Sequence, residues 1–176
     1  MTSWRRLTVV LAVAGTLLAD GCGSGPDQNN GKDEKVETKS KTDVVALARG
    51  QAEQVAQLTG GTLEQWETRS SACTGRNGEI ADDGRWSLSA FAAVKLPADK
   101  HVKGLQAVHD QWQSKNWEIT TFRTLPDGVR GVLDGRDPTN GLTVSLASSV
   151  GKTQLALTMG SACYQPAAGE DPANDN

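Results

Sequence analysis

Three cysteines and two histidines are the residues of this chain best suited to redox, nucleophilic or metal chemistry. Cys22, Cys73 and Cys163 lack the C-x-x-C spacing and the neighbouring histidines of redox and zinc sites. His101 and His109 fall on one expected helix, about 12 Å apart along its axis, which is too far to share a metal ion. We expect both to be solvated or packed at an edge, with Asp110 pointing away from His109. The sequence therefore predicts no metal site and no cofactor.

The serines and one glycine-lysine-threonine turn are the next candidates for chemistry. Gly151-Lys152-Thr153 resembles the end of a phosphate-binding loop, but Leu146 stands where that loop needs glycine. A strand is also expected where the loop needs a helix. No Gly-x-Ser-x-Gly segment is present to supply a nucleophilic serine. We predict a hairpin turn at Gly151-Lys152, no catalytic residues, and no enzyme activity.

Two groups of acidic residues suggest calcium binding at first sight. Asp134, Asp137 and Asn140 are three residues apart, whereas a calcium loop takes ligands at every second position. Tight-turn hydrogen bonding explains them. The acidic residues within 79–83 are interpreted as a solvated turn, with a weak surface calcium site as the alternative.

The first 22 residues have the layout of an export signal. Arg5 and Arg6 precede an apolar run over residues 7–18, which is shorter than the roughly 20 residues that span a bilayer. The next four residues, Ala19-Asp20-Gly21-Cys22, resemble the lipobox of bacterial lipoproteins. The resemblance implies cleavage before Cys22 and diacylglycerol on its thiol, although Ala19 replaces the usual leucine. Ordinary secretion is the alternative.

Lipidation of Cys22 would leave Cys73 and Cys163 as a pair in a compartment where disulfides persist. We therefore predict a disulfide between them. It would tie the first strand of the domain to the last. Cys163 is expected on the core side of that last strand, because it shares the parity of Leu155 and Leu157.

Composition divides the chain into four parts. Residues 1–21 form the expected signal peptide, and residues 22–42 the lipidated cysteine with a flexible polar tether. A single folded domain is expected over 43–165. The polar residues 166–176 are expected to be a disordered tail, because such segments bury too little apolar surface to offset their ordering entropy.

Hydrophobic periodicity predicts the fold class of the domain. Ser40 opens a capping box before an amphipathic helix that Gly60 ends, and a second helix starts near Pro97 and ends at Asn116. Short turns make the last four strands antiparallel neighbours. We expect an α+β fold, an antiparallel sheet with two main helices on one face, stapled by one disulfide. The expected strands cover residues 65–73, 86–96, 117–125, 129–136, 142–150 and 153–163.

The tryptophans of the domain divide into two groups. Periodicity assigns Trp86, Trp112 and Trp117 to the core between the second helix and the sheet. Trp66 is undetermined, and it is interpreted either as a plug at the helix end or as part of an exposed recognition surface.

The chain as a whole is similar to small secreted lipoproteins of unassigned function from high-GC Gram-positive bacteria. The similarity is carried by Ala19–Cys22, the polar tether, and the segments around Cys73, Pro97 and Cys163. It implies a protein held by the lipid on Cys22 at the extracytoplasmic face of the cell membrane.

Three functions follow in order of preference. The first is a non-enzymatic binding or interaction module of the cell envelope, whose partner is an unknown envelope protein or a small apolar ligand. The alternative is a carrier of an apolar small molecule or lipid in a pocket between sheet and helix. An envelope hydrolase is less favoured. The net charge of -3 and the lack of a basic stripe disfavour nucleic acid as a partner.

Overall fold

A six-stranded antiparallel sheet with two helices on one face organises the computed structural model, which describes residues 36–75 and 77–175. The expected signal peptide, Cys22 and the tether up to residue 35 lie outside the described residues. Neither described helix combines the length and apolarity needed to cross a membrane.

The α+β class and the single-sided sheet are as predicted from the sequence. The sheet order is β2-β3-β7-β6-β5-β4 with every pair antiparallel, and β1 and β8 form a separate parallel pair. A short 3-10 turn, Ala98–Lys100, precedes the second helix. The elements are β1 Thr38–Lys39, α1 Lys41–Thr59, β2 Thr62–Ala72, β3 Trp86–Lys95, α2 His101–Ser114, β4 Glu118–Thr124, β5 Gly131–Arg136, β6 Thr143–Ser148, β7 Gln154–Gly160 and β8 Gln165–Pro166.

The ends of α1 have the capping groups that the sequence predicts. The Ser40 side chain accepts a hydrogen bond from the backbone N–H of Asp43 at 3.1 Å, which satisfies one free donor of the first turn. Gly60 ends the helix with φ of 68°, a left-handed conformation that glycine adopts without steric cost. The helix buries a stripe of small residues, so its backbone lies close to the sheet: Val44, Ala48, Ala52, Val55 and Ala56.

Because side chains alternate between the two faces of a strand, every second residue of each strand faces the helices. Leu88, Ala90 and Val94 of β3 are buried on that face. Below α2, two glycines of β5 make room for large side chains. A Cβ at Gly131 would lie 2.8 Å from Leu105, and one at Gly135 would lie 2.9 Å from the Trp112 ring.

The three tryptophans assigned to the core are buried, as predicted. Trp86 and Trp112 are fully buried, and the Trp117 ring stacks on Trp112 with 4.4 Å between ring centroids. This pair closes the end of the core where α2 turns into β4. Aromatic stacking of this kind adds about 1 kcal/mol to the burial of the rings.

The predicted disulfide joins Cys73 to Cys163, with 6.1 Å between their Cα atoms. The prediction that Cys163 faces the core is wrong, because β7 ends at Gly160 and Cys163 is exposed beyond it. Strand parity does not extend past the end of the strand. Tyr164, the next residue, forms two backbone hydrogen bonds with Trp86 at the start of β3.

The folded unit is longer than the predicted span of 43–165. Thr38 and Lys39, assigned to the tether, pair with β8 and place the chain before α1 against the end of the domain. Residues 166–175 differ from the predicted disordered tail. Pro172 is buried, and Ala173 packs against the core. These few apolar residues pack against the surface of the folded domain. A prediction from the composition of the segment alone does not detect such contacts.

Removal of the disulfide is expected to destabilise the domain. Cys73→Ser with Cys163→Ser opens a link across 90 residues, for which chain entropy alone gives about 4.6 kcal/mol. We expect the free energy of unfolding to fall by about 2–5 kcal/mol in urea titrations followed by tryptophan fluorescence. Cys22→Ser is the matched control and should leave the midpoint unchanged. An unchanged midpoint in the double variant would contradict a stabilising role for the bond.

Candidate functional site

A groove of about 590 Å³ lies between the outer face of α1 and the C-terminal segment. Helical spacing places Lys41, Val45 and Arg49 on one face of α1, where they form its floor. Residues 170–175 form the opposite wall. The lining residues are Lys41, Thr42, Val45, Ala46, Arg49, Glu170, Pro172 and Asp175.

Lys41 holds the C-terminal wall at two points. The Glu170 carboxylate accepts a hydrogen bond from the backbone N–H of Lys41 at 2.9 Å, in the first turn of α1. A carboxylate there also complements the positive end of the helix dipole. The Lys41 ammonium donates to the backbone carbonyl of Asp175. The groove therefore depends on an ordered C-terminal segment.

The charges of the groove are balanced around an apolar floor. Two cations, Lys41 and Arg49, face two anions, Glu170 and Asp175. Arg49 is already paired with Glu53, with 2.7 Å between Nε and Oε1. Because the charges of the groove balance, it suits a small apolar or amphipathic ligand better than a strongly charged one.

Trp66 lies at an irregularity of β2 beside this site. The pairing register with β3 shifts between Glu64 and Glu67, and Gln65 has φ of 56°. Trp66 is half-buried against the core, and the Arg49 guanidinium lies 5.2 Å from its ring centroid. Arg49 thus connects Trp66 to the groove. A recognition role for Trp66 stays a prediction.

The layer between the sheet and α2 is filled with side chains. Leu105, Trp112 and Leu133 are each at most 1% exposed, and the β5 glycines lie in close contact with the first two. The carrier hypothesis placed a pocket in this layer. The groove instead lies on the outer side of α1.

His101 differs from the prediction of a solvated or edge-packed side chain. It is fully buried, and its Nε2 lies 2.9 Å from the Leu96 carbonyl oxygen. His101 precedes Leu105 by four residues and Val108 by seven, so helical spacing places it on their buried face. Its contacts give it a packing role.

His109 is packed at an edge of the domain. Its ring stacks on Phe122 with 4.3 Å between ring centroids. The expectation that Asp110 points away is wrong, since Asp110 Oδ1 lies 3.0 Å from His109 Nδ1. Hydrogen bonds from His109 and Gln106 lower the pKa of Asp110. Within residues 36–75 and 77–175, no group of three or more His, Cys, Asp or Glu side chains is placed to hold a metal ion.

The Asp137 loop has the tight-turn hydrogen bonds that were predicted. The Asp137 carboxylate accepts from the backbone N–H and hydroxyl of Thr139, at 2.9 and 2.6 Å, and from the Asn140 amide. Asp134 accepts instead from the Ser145 hydroxyl, away from this loop. These carboxylates are used to hold turns and strands.

The Gly151-Lys152 segment is the predicted hairpin turn, between β6 and β7. The Lys152 N–H donates to the Ser149 carbonyl at 3.0 Å, and Lys152 has φ of 57°. Its ammonium lies 3.3 Å from the Asp127 carboxylate, which also pairs with Arg130 at 2.6 Å. Arg130 above all holds the pKa of Asp127 well below its ordinary value. The lysine thus has a structural partner at the surface.

Loss of the Glu170 cap is expected to loosen the wall of the groove. Glu170→Ala leaves the Lys41 N–H without its acceptor, and we expect about 0.5–1 kcal/mol of destabilisation in urea titrations. Amide exchange in residues 167–175 should rise more than exchange in β3. Glu67→Ala, an exposed acid-to-alanine change on β2, is the control. Unchanged exchange in the Glu170 variant would show that this contact does not order the segment.

No known protein family matches this chain, and no curated protein is significantly similar to it. The functional assignment therefore depends on the chain's own residues: its cysteines, its groove and its surface.

Proposed function

We propose that this protein is a membrane-anchored extracytoplasmic lipoprotein whose domain is a non-enzymatic binding or interaction module of the cell envelope. The observation that supports it is the bond between Cys73 and Cys163. It uses two of the three cysteines and leaves Cys22, which follows the lipobox-like residues Ala19-Asp20-Gly21.

The disulfide supports the export part of the proposal through its chemistry. Structural disulfides form and persist in oxidising compartments, whereas cytosolic thiols are kept reduced. A third cysteine in an exported protein is a reactive thiol unless it is modified. Acylation of Cys22 would remove that thiol and anchor the domain, with the membrane as its first partner.

The surroundings of the polar side chains support a binding role over catalysis. A nucleophile needs a base within hydrogen-bond reach, and that base needs an orienting group. His101 is buried against the Leu96 carbonyl, and His109 contacts Asp110 and Phe122. Within the described part of the chain, neither histidine forms a hydrogen bond with a serine or a cysteine.

The groove favours the carrier as a second candidate. Its volume of about 590 Å³ falls in the range of small-molecule sites, about 300–1,000 Å³. The proposed ligand is a small apolar or amphipathic molecule resting on Val45, Ala46 and Pro172. Lys41 and Arg49 are close enough to orient a polar end.

The anchor is tested by Cys22→Ala in the full chain. We expect the protein to move from the membrane fraction to the soluble exported fraction and to lose incorporation of labelled fatty acid. Ser24→Ala, a change of similar size in the same segment, should remain in the membrane fraction. Membrane association of the Cys22 variant, or an unmodified amino terminus elsewhere on the wild type, would contradict the anchor.

The carrier is tested by filling the groove. Val45→Trp places a large side chain on its floor and should abolish saturable binding of an apolar fluorescent dye, while Gln57→Trp at the other end of α1 should not. A module that acts only through protein contacts would show no saturable dye binding in any variant. That result would remove the carrier and leave the interaction module.

A further inference from the structure

The sheet face opposite the helices carries an ordered pattern of charges. Its first row begins with an acid on β2, crosses four small apolar residues and ends with a base on β4. In order, the row is Glu64, Ala93, Ala156, Ala147, Val132 and Arg123.

A second row, toward the other end of the strands, has the opposite polarity at its edges. It begins with a base on β2 and ends with an acid on β4. In order, the row is Arg69, Ser89, Gly160, Thr143, Arg136 and Glu118. Phe91, 39% exposed, lies between the two rows on β3.

We propose that this face binds a second copy of the chain, forming a two-fold symmetric dimer of stacked sheets. A two-fold axis parallel to the strands lays β2 of one copy over β4 of the other. Glu64 then faces Arg123 of the second copy, and Arg69 faces its Glu118. Symmetry makes each contact twice. Opposite charges therefore meet at the sheet edges in both rows. In the row between them, Phe91 lies over Asp134 of the second copy, so the charge complementarity comes from the two outer rows.

The unpaired bases of the pattern are available for such contacts. Arg69 and Arg123 are exposed, and neither forms an ion pair within the described residues. Glu64 has only a 3.9 Å contact to Lys95. Glu118 lies 3.2 Å from Arg136 with more than half of its side chain exposed. The carboxylates of Glu64 and Glu118 are therefore exposed enough to contact a second cation.

The area of the face reaches the lower limit for a specific dimer. Strands about 4.8 Å apart make the six-stranded sheet about 29 Å wide, and three rows cover about 20 Å along the strands. The face therefore measures about 580 Å² per copy, or about 1,150 Å² in the dimer, above the roughly 1,000 Å² of a specific interface. The alanines allow close approach of the sheets.

Charge reversal tests the dimer. The full chain is measured by sedimentation equilibrium in a density-matched mild detergent, so the measurement does not depend on the anchor. Glu64→Arg and Arg123→Glu each create two like-charge contacts, and each should raise the dissociation constant about tenfold. The combined variant restores opposite charges and should return to within about threefold of wild type. Glu53→Arg, the same reversal on α1, should have no effect.

Two results would overturn the dimer. One is a monomeric wild-type chain across the micromolar range. The other is a combined variant as weak as the singles, with circular dichroism showing that all variants are folded. Neither result bears on the lipid at Cys22 or on dye binding in the groove, so the proposed function is judged separately.

Discussion

The Cys73–Cys163 bond holds the segment after β7 against the end of β2, and the placement of the C-terminal residues depends on it. It joins the end of β2 to the segment after β7, directly before Tyr164 pairs with Trp86. That pairing leads into β8, which holds β1, and from there to Glu170, which caps α1. A continuous series of short contacts therefore connects the disulfide to the C-terminal wall of the groove. A covalent bond matters here because two-residue strands and single caps contribute little each.

Small residues let the helices pack closely on one face of the sheet. α1 buries three alanines, and the β5 glycines admit Leu105 and Trp112. Small side chains are also present on the opposite face of the sheet, where three alanines occupy the first of the charged rows. This face carries balanced charges at its edges. In the monomer these charges are solvated, and in the proposed dimer they contact opposite charges of the second copy. The fold thus presents two surfaces of different chemistry: a groove on α1 and the sheet face opposite the helices.

Local signals made most of the fold predictable. The Ser40 cap, the Gly60 end and the alternation along β3 act over a few residues, and cysteine counting supplied the disulfide. The burial of His101 differs from the prediction because its place on the apolar face, four residues before Leu105, outweighs its polar side chain, and Cys163 differs because β7 ends at Gly160. The groove was not predictable, since it joins residues about 130 positions apart in sequence. The charged rows also needed strand registers, which no single strand encodes.

The most direct test of this account is peptide mapping, without reduction, of the protein extracted from its native membrane. We expect a linked peptide pair containing Cys73 and Cys163, together with an amino-terminal peptide in which Cys22 carries diacylglycerol. Cys22 disulfide-bonded to either of the other cysteines, or free thiols at Cys73 and Cys163, would contradict it.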